Sequence, residues 1–96
     1  MAGNITHGMN VEQVKALGAK LDAKANQINA LITEVNNALQ NTSWVGPDAD
    51  SFKNKWSHEG VGQLNKAKEI LTHASAAAKR NAQAQDSTSQ AQSGQF

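Results

Sequence analysis

Asn41-Thr42-Ser43-Trp44-Val45-Gly46-Pro47-Asp48 is the stretch whose reading decides the fold. Asn, Thr and Ser favour local side-chain bonds to the backbone over helix continuation. Gly46 takes positive φ at little cost. Pro47, the only proline in the chain, discourages helix at the residue before it and suits the first turn of a helix. Asp48 and Asp50 then set negative charge at the positive end of the helix dipole that follows. The stretch therefore reads as a turn that ends one helix and starts another.

Upstream, Val14, Leu17, Leu21, Ala25, Ile28, Leu31, Ile32, Val35 and Leu39 recur at steps of three and four and cover roughly 120° of a helical wheel. Lys24 falls inside that arc, where its stem can lie on apolar surface with the ammonium in water. Asn10 is placed to cap this helix, with Gln13 three residues on as in a capping box. Helix 1 is expected over about 11–41, on the order of 45 Å long. Residues 1–9 hold two glycines and no periodicity and read as a flexible arm.

Downstream, Ala49, Phe52, Trp56, Leu64, Ala67, Ile70, Leu71, Ala74 and Ala78 form a second arc, again roughly 120° wide. Helix 2 is expected over about 48–83, with the turn at 42–47. Gly60 and Gly62 interrupt it. Gly60 lies inside the arc, so it either lets another backbone approach closely or marks a kink near 60–62. From 85 to 96 the composition becomes polar and low in complexity, which predicts a disordered tail.

The fold expected is all-α: an antiparallel helical hairpin over residues 10–84. A lone hairpin gives each helix one neighbour, and a single seam needs only a narrow stripe. Both stripes are wider than that, and a long exposed apolar band is more than soluble monomers usually carry. The expectation is a second hairpin, making a four-helix bundle. Leu17, Leu21, Ile28, Leu31, Val35, Phe52, Trp56, Leu64 and Leu71 are the residues expected to pack the hairpin and the dimer. Periodicity leaves open whether the partner is a second copy or a different chain.

Composition narrows the function. The 96 residues form one domain at most, with nine basic and eight acidic residues, a net charge of +1 and no cysteine. Cations are scattered, so phosphate-driven nucleic-acid binding has little to work with. His7, His58 and His73 do not share a site, since the last two stand about 22 Å apart along one helix. No calcium loop, phosphate loop or nucleophile motif is present. The Asp48 and Asp50 pair suits a helix terminus better than acid–base chemistry. No enzyme activity, metal or cofactor is expected. The first residues lack a basic start followed by an apolar run, so no cleavable signal peptide is expected. No apolar run approaches the roughly 18 residues of a membrane span. Phe52 and Trp56 give a weak aromatic element to a membrane-surface reading.

Trp44-Val45-Gly46, in a turn between two long amphipathic helices of a chain of about this length, resembles the WXG family, the small ESAT-like proteins exported by type VII secretion systems. Phe52 and Trp56 stand at spacings where that family often carries aromatics. The resemblance covers about residues 10–86. It implies hairpins that form head-to-tail homodimers or heterodimers with another WXG protein. It implies export as folded pairs, driven by a secretion ATPase, to the outside of the cell. It also implies a composite export signal that joins the turn tryptophan to the C-terminal end of the partner's second helix. Carried over, the recognition positions are Trp44 and Gly46. The mycobacterial-type tail signal is a tyrosine followed four residues later by an acidic residue. Here Asp86 is the acidic residue of that region, Ala82 stands where the tyrosine would be, and the chain has no tyrosine. Either a partner supplies the signal or the export system reads a different tail. Three readings of function follow: a secreted ESAT-like protein acting through protein contacts, a non-secreted helical adaptor of a larger type VII toxin, and a membrane-permeabilising effector. Trp44 keeps two roles open, a cover over the helix ends and a recognition group.

Overall fold

The structure is a computed structural model that describes the backbone of residues 9–94 and the side chains of residues 9–85. The expected arm at 1–9 therefore lies, apart from Met9, outside the described residues. The described chain is all-α. Helix α1 runs Val11–Gln40. Helix α2 runs Pro47–Lys55 and passes through a single π-helical turn, Trp56–Gly60, into helix α3, Val61–Gly94. The two long arms fold back on each other as a hairpin.

Local chemistry fixes the ends. Asn10 sits in extended backbone and its Oδ1 accepts the Gln13 N–H at 3.0 Å, which satisfies one of the free amides of the first turn. Gly46 is the N-cap of α2, with φ 120° and ψ 176°. That region is essentially open to glycine alone. Its carbonyl accepts the Asp50 N–H at 3.0 Å, which closes the first turn. Gly46→Ala is expected to destabilise the hairpin by about 1–3 kcal/mol, the cost of one residue forced into such a conformation. Urea melts followed by circular dichroism check this, with Val45→Ala as the exposed control.

The helices meet along a line of small residues. Gly18, Ala25, Ala49, Ser75 and Ala82 are the buried ones. The Ser75 Oγ donates to the Gly18 carbonyl at 2.9 Å. A Cβ on Gly18 would sit 3.2 Å from Lys79 Cγ, so the helices approach closely here because glycine lacks a side chain. Leu21, Ile28, Val35, Trp56, Leu64 and Leu71 flank this line half-buried, since two helices alone cannot enclose a large side chain.

Inward positions on α1 step by three and four: Val11, Val14, Gly18, Leu21, Ala25, Ile28, Ile32. The second arm differs. Its inward positions are Ala49, Lys53, Trp56, Gly60, Leu64, Lys68, Leu71, Ser75, Ala78 and Ala82, with three steps of four in succession from Trp56 to Lys68. That amounts to one residue more than a regular seam allows. The π turn absorbs it: the Val61 N–H bonds the Trp56 carbonyl, five residues back, and the helix face is reset. The Trp56 ring lies over Gly60, where an added Cβ would stand 2.9 Å from Cε3. The question left at Gly60 is thus answered by contact with its own helix: a bulged turn rather than the approach of a second backbone.

Two residues of the sequence-based arc differ, and the reset explains the one that follows it, Ile70. Phe52 and Ile70 stand at 42% and 67% exposure, outside the seam, while Lys53, Lys68 and Ser75 take inward positions. A wheel drawn with one constant angle carries the phase of α2 into α3 and so misses the change. A second difference lies at the C-terminus. The backbone stays helical through Gly94, past the 83 read from sequence and over most of the 85–96 tail. Nothing between Ala82 and Gly94 breaks a helix, and Ala and Gln extend one readily once it is nucleated.

One side of the hairpin is joined by polar bonds. Lys79 pairs with Asp22, the Lys68 Nζ donates to Asn29 Oδ1 at 3.0 Å, and the Trp56 Nε1 donates to Asn36 Oδ1 at 2.8 Å. The Lys79 ammonium, and next the Ser75 hydroxyl, hold the Asp22 carboxyl below its ordinary range. A lowered folded value means that this stabilisation is present above the unfolded value of about 3.9 and fades as pH falls through the folded one. Wild-type protein should therefore lose more melting temperature than Asp22→Asn between about pH 6 and about pH 3. The effect should be small, because the pair is solvent-exposed. Equal losses in the two proteins would show that the bond does not form in solution.

Candidate functional site

The turn presents its aromatic group outward. Trp44 is 41% exposed and Val45 86% exposed, at the end of the hairpin opposite the start of α1 and the end of α3. The backbone there is fixed from three directions. Gly46 sets the direction of the chain, Pro47 opens α2, and the Lys53 Nζ donates to the Trp44 carbonyl at 3.1 Å. The indole leans on Phe52, with ring centroids 6.0 Å apart and planes tilted by 39°. Such a pair is worth about 0.5–1.5 kcal/mol beyond its buried area. Trp44 is thus positioned by one neighbour and left open on its other face.

Phe52 also borders an open groove of about 270 Å³ lined by Lys55, Trp56, Glu59, Gly60 and Gln63. The two aromatics downstream of the turn therefore do different things. Trp56 ties α2 to Asn36 on α1, whereas Phe52 extends the exposed aromatic surface of Trp44. Leu17 and Leu31 are exposed on α1, on one flank of the hairpin. Asp86 lies on the α3 backbone, with its side chain outside the described residues. At the tip the structure brings together Trp44, Gly46 and Phe52. Asp86 is on the other side of Ala82, close to the opposite end.

The polar side chains nearest the tip make local bonds. His58 Nδ1 lies 3.1 Å from the Asn54 carbonyl and 3.3 Å from Ser57 Oγ. Among the described residues no three His, Asp or Glu side chains gather as metal ligands, and no helix is long and apolar enough to cross a membrane. His7 lies outside the described residues.

Sequence reasoning passed over Gly18, Asp22, Ser75 and Lys79. The signal for Gly18 was present, since it stands at seam spacing between Val14 and Leu21. A glycine on an apolar stripe marks close approach, but its partner Ser75 was hidden behind the altered phase of α3. No protein-family model, curated protein or solved structure matches the chain.

Proposed function

We propose that this chain is an ESAT-like WXG protein, exported as a folded pair by a type VII secretion system and acting through protein–protein contacts. The observation that carries the reading is the exposed Trp44 on a turn that only glycine at 46 can form. Leaving an indole in water forgoes the stabilisation its burial gives, which favours a surface that another chain covers. The exposed Leu17, Leu31 and Ile70 support pairing with a second hairpin for the same reason.

Deleting the secretion ATPase in the native host tests this. The protein should accumulate in cells and disappear from the culture medium. Undiminished protein in the medium without lysis would reject export by this route. The chain's lack of tyrosine, and so of the tyrosine half of the mycobacterial-type tail signal, favours a second reading, a non-secreted adaptor of a larger type VII toxin. Affinity purification from the host separates the two, since an adaptor brings down a much larger chain in stoichiometric amount.

A further inference from the structure

Helix α3 carries two faces that suit the seam. The face in use holds Leu64, Lys68, Leu71, Ser75 and Ala82. Moving each position back by one residue gives Gln63, Ala67, Ile70, Ala74 and Asn81, a line turned about 100° round the helix. This second face has no charge, whereas the first turns Lys68 inward. It also keeps small residues at the close contact. Ala74 takes the place of Ser75 opposite Gly18, and alanine is no larger than serine. The first face has Leu64 and Leu71 as its large apolar residues, and the second has Ile70, which now stands 67% exposed. Apolar content separates the two faces by about one side chain.

Polar bonds select the face in use. Ser75 donates to the Gly18 carbonyl, Lys68 to Asn29, and Lys79 pairs with Asp22. All of these start from α3, beyond the π turn. Ahead of the turn the arm is tied to α1 separately, through the Trp56 Nε1 on Asn36 Oδ1. The π turn is the joint between the two parts, and it holds the one residue that gives α3 its present phase. Its widened backbone is braced by its own side chains: the Ser57 Oγ donates to the Lys53 carbonyl at 2.8 Å, and His58 Nδ1 lies 3.1 Å from the Asn54 carbonyl. Relaxing the turn to regular α-helical bonding releases that residue as a rotation of α3 by about 100°. The rotation carries Ala67, Ile70 and Ala74 onto α1 and leaves Trp44 and α2 where they are.

We propose that α3 has two seatings on α1, exchanged through the π turn. In the present seating Ile70 faces outward. In the second, Ile70 is inward and Leu64 and Lys68 are turned out. The tip is the same in both, so the device changes the surface of the stem alone. Packed helices move between discrete arrangements of this kind rather than deforming continuously. A molecule that binds one stem surface and not the other shifts the balance by its differential affinity.

Relaxation-dispersion and saturation-transfer NMR on three forms of the full chain tests it: wild type, Lys68→Ala/Ser75→Ala, and the deletion of Gly62. The double variant removes bonds that only the present seating makes. The deletion turns the inward steps from Trp56 through Gly60 and Leu64 to Lys68 from four, four, four into four, three, four. Helix α3 then reaches its present face as a regular helix with no residue to release. Wild type should show μs–ms exchange at the amides around Ile70 and Ser75 and none in α2, with a minor state of about 1%. That population should rise about fivefold or more in the double variant and vanish in the deletion. Minor-state carbon shifts should be helical; random-coil shifts would mark local unfolding and overturn the inference. Flat profiles in both wild type and the double variant overturn it, as does undiminished exchange in the deletion. A deletion that unfolds the chain by circular dichroism overturns it too, since the present face would then not be open to a regular helix.

Discussion

Trp44→Arg is expected to stop export while the hairpin stays folded and able to pair. The structural share of the indole is one tilted contact with Phe52. The bond from Lys53 goes to the Trp44 main-chain carbonyl, and the turn depends on Gly46 and Pro47. Replacing the side chain leaves all of these in place, so the fold should lose about 1 kcal/mol, the worth of one aromatic pair. Recognition should lose more. A tryptophan at the centre of a contact is a typical hot spot, worth about 2 kcal/mol or more, and an arginine puts a charge where an apolar pocket expects none. Circular dichroism melts and sedimentation on purified protein read the first effect, and blots of cells against culture medium read the second. Unfolding, or loss of the pair, would instead make Trp44 a structural cover for the helix ends.

Gly18→Leu should have the largest effect on stability. Gly18 faces Ser75, whose hydroxyl bonds its carbonyl, and a Cβ there already presses on Lys79. An isobutyl group has no space at this contact and must push α3 away. Overpacking of this kind costs about 1–3 kcal/mol. In a hairpin whose fully buried residues are all small, the neighbouring layers at Ala25 and Ala82 should loosen with it. Ser75→Ala is the milder companion, losing one hydrogen bond and about 1 kcal/mol. Urea melts should place the proteins in the order wild type, Ser75→Ala, Gly18→Leu. Wild-type stability in Gly18→Leu would mean that the two arms do not meet at this layer in solution.

Much of the architecture was legible in the residues. Regular apolar steps on α1, the Asn10 cap, and Gly46-Pro47 as a turn all rest on interactions within a few residues of each other. Local chemistry is enough to place them. The outward position of Ile70 was not legible, because it depends on the bulged turn at Trp56–Gly60. A constant 100° wheel has no means of registering such a turn. Ser75 was hidden for a related reason. A serine on an alanine-rich stripe looks like a solvent position until the opposite helix supplies a carbonyl. At the tip, sequence marked Trp44 and Gly46, and left open whether the indole was covered.

By itself the sequence determined two long amphipathic helices, the residue that caps the first, and the turn that joins them. Those features depend on spacing and on backbone preferences, which each residue carries with it. Only the tertiary structure decided which edge of each stripe faces the other helix. That choice depends on where the close contact of Gly18 with Ser75 sets the register and on how the π turn rotates α3. Once register and phase are fixed, Lys79–Asp22 and Lys68–Asn29 close one side, and Leu17, Leu31 and Ile70 stay exposed.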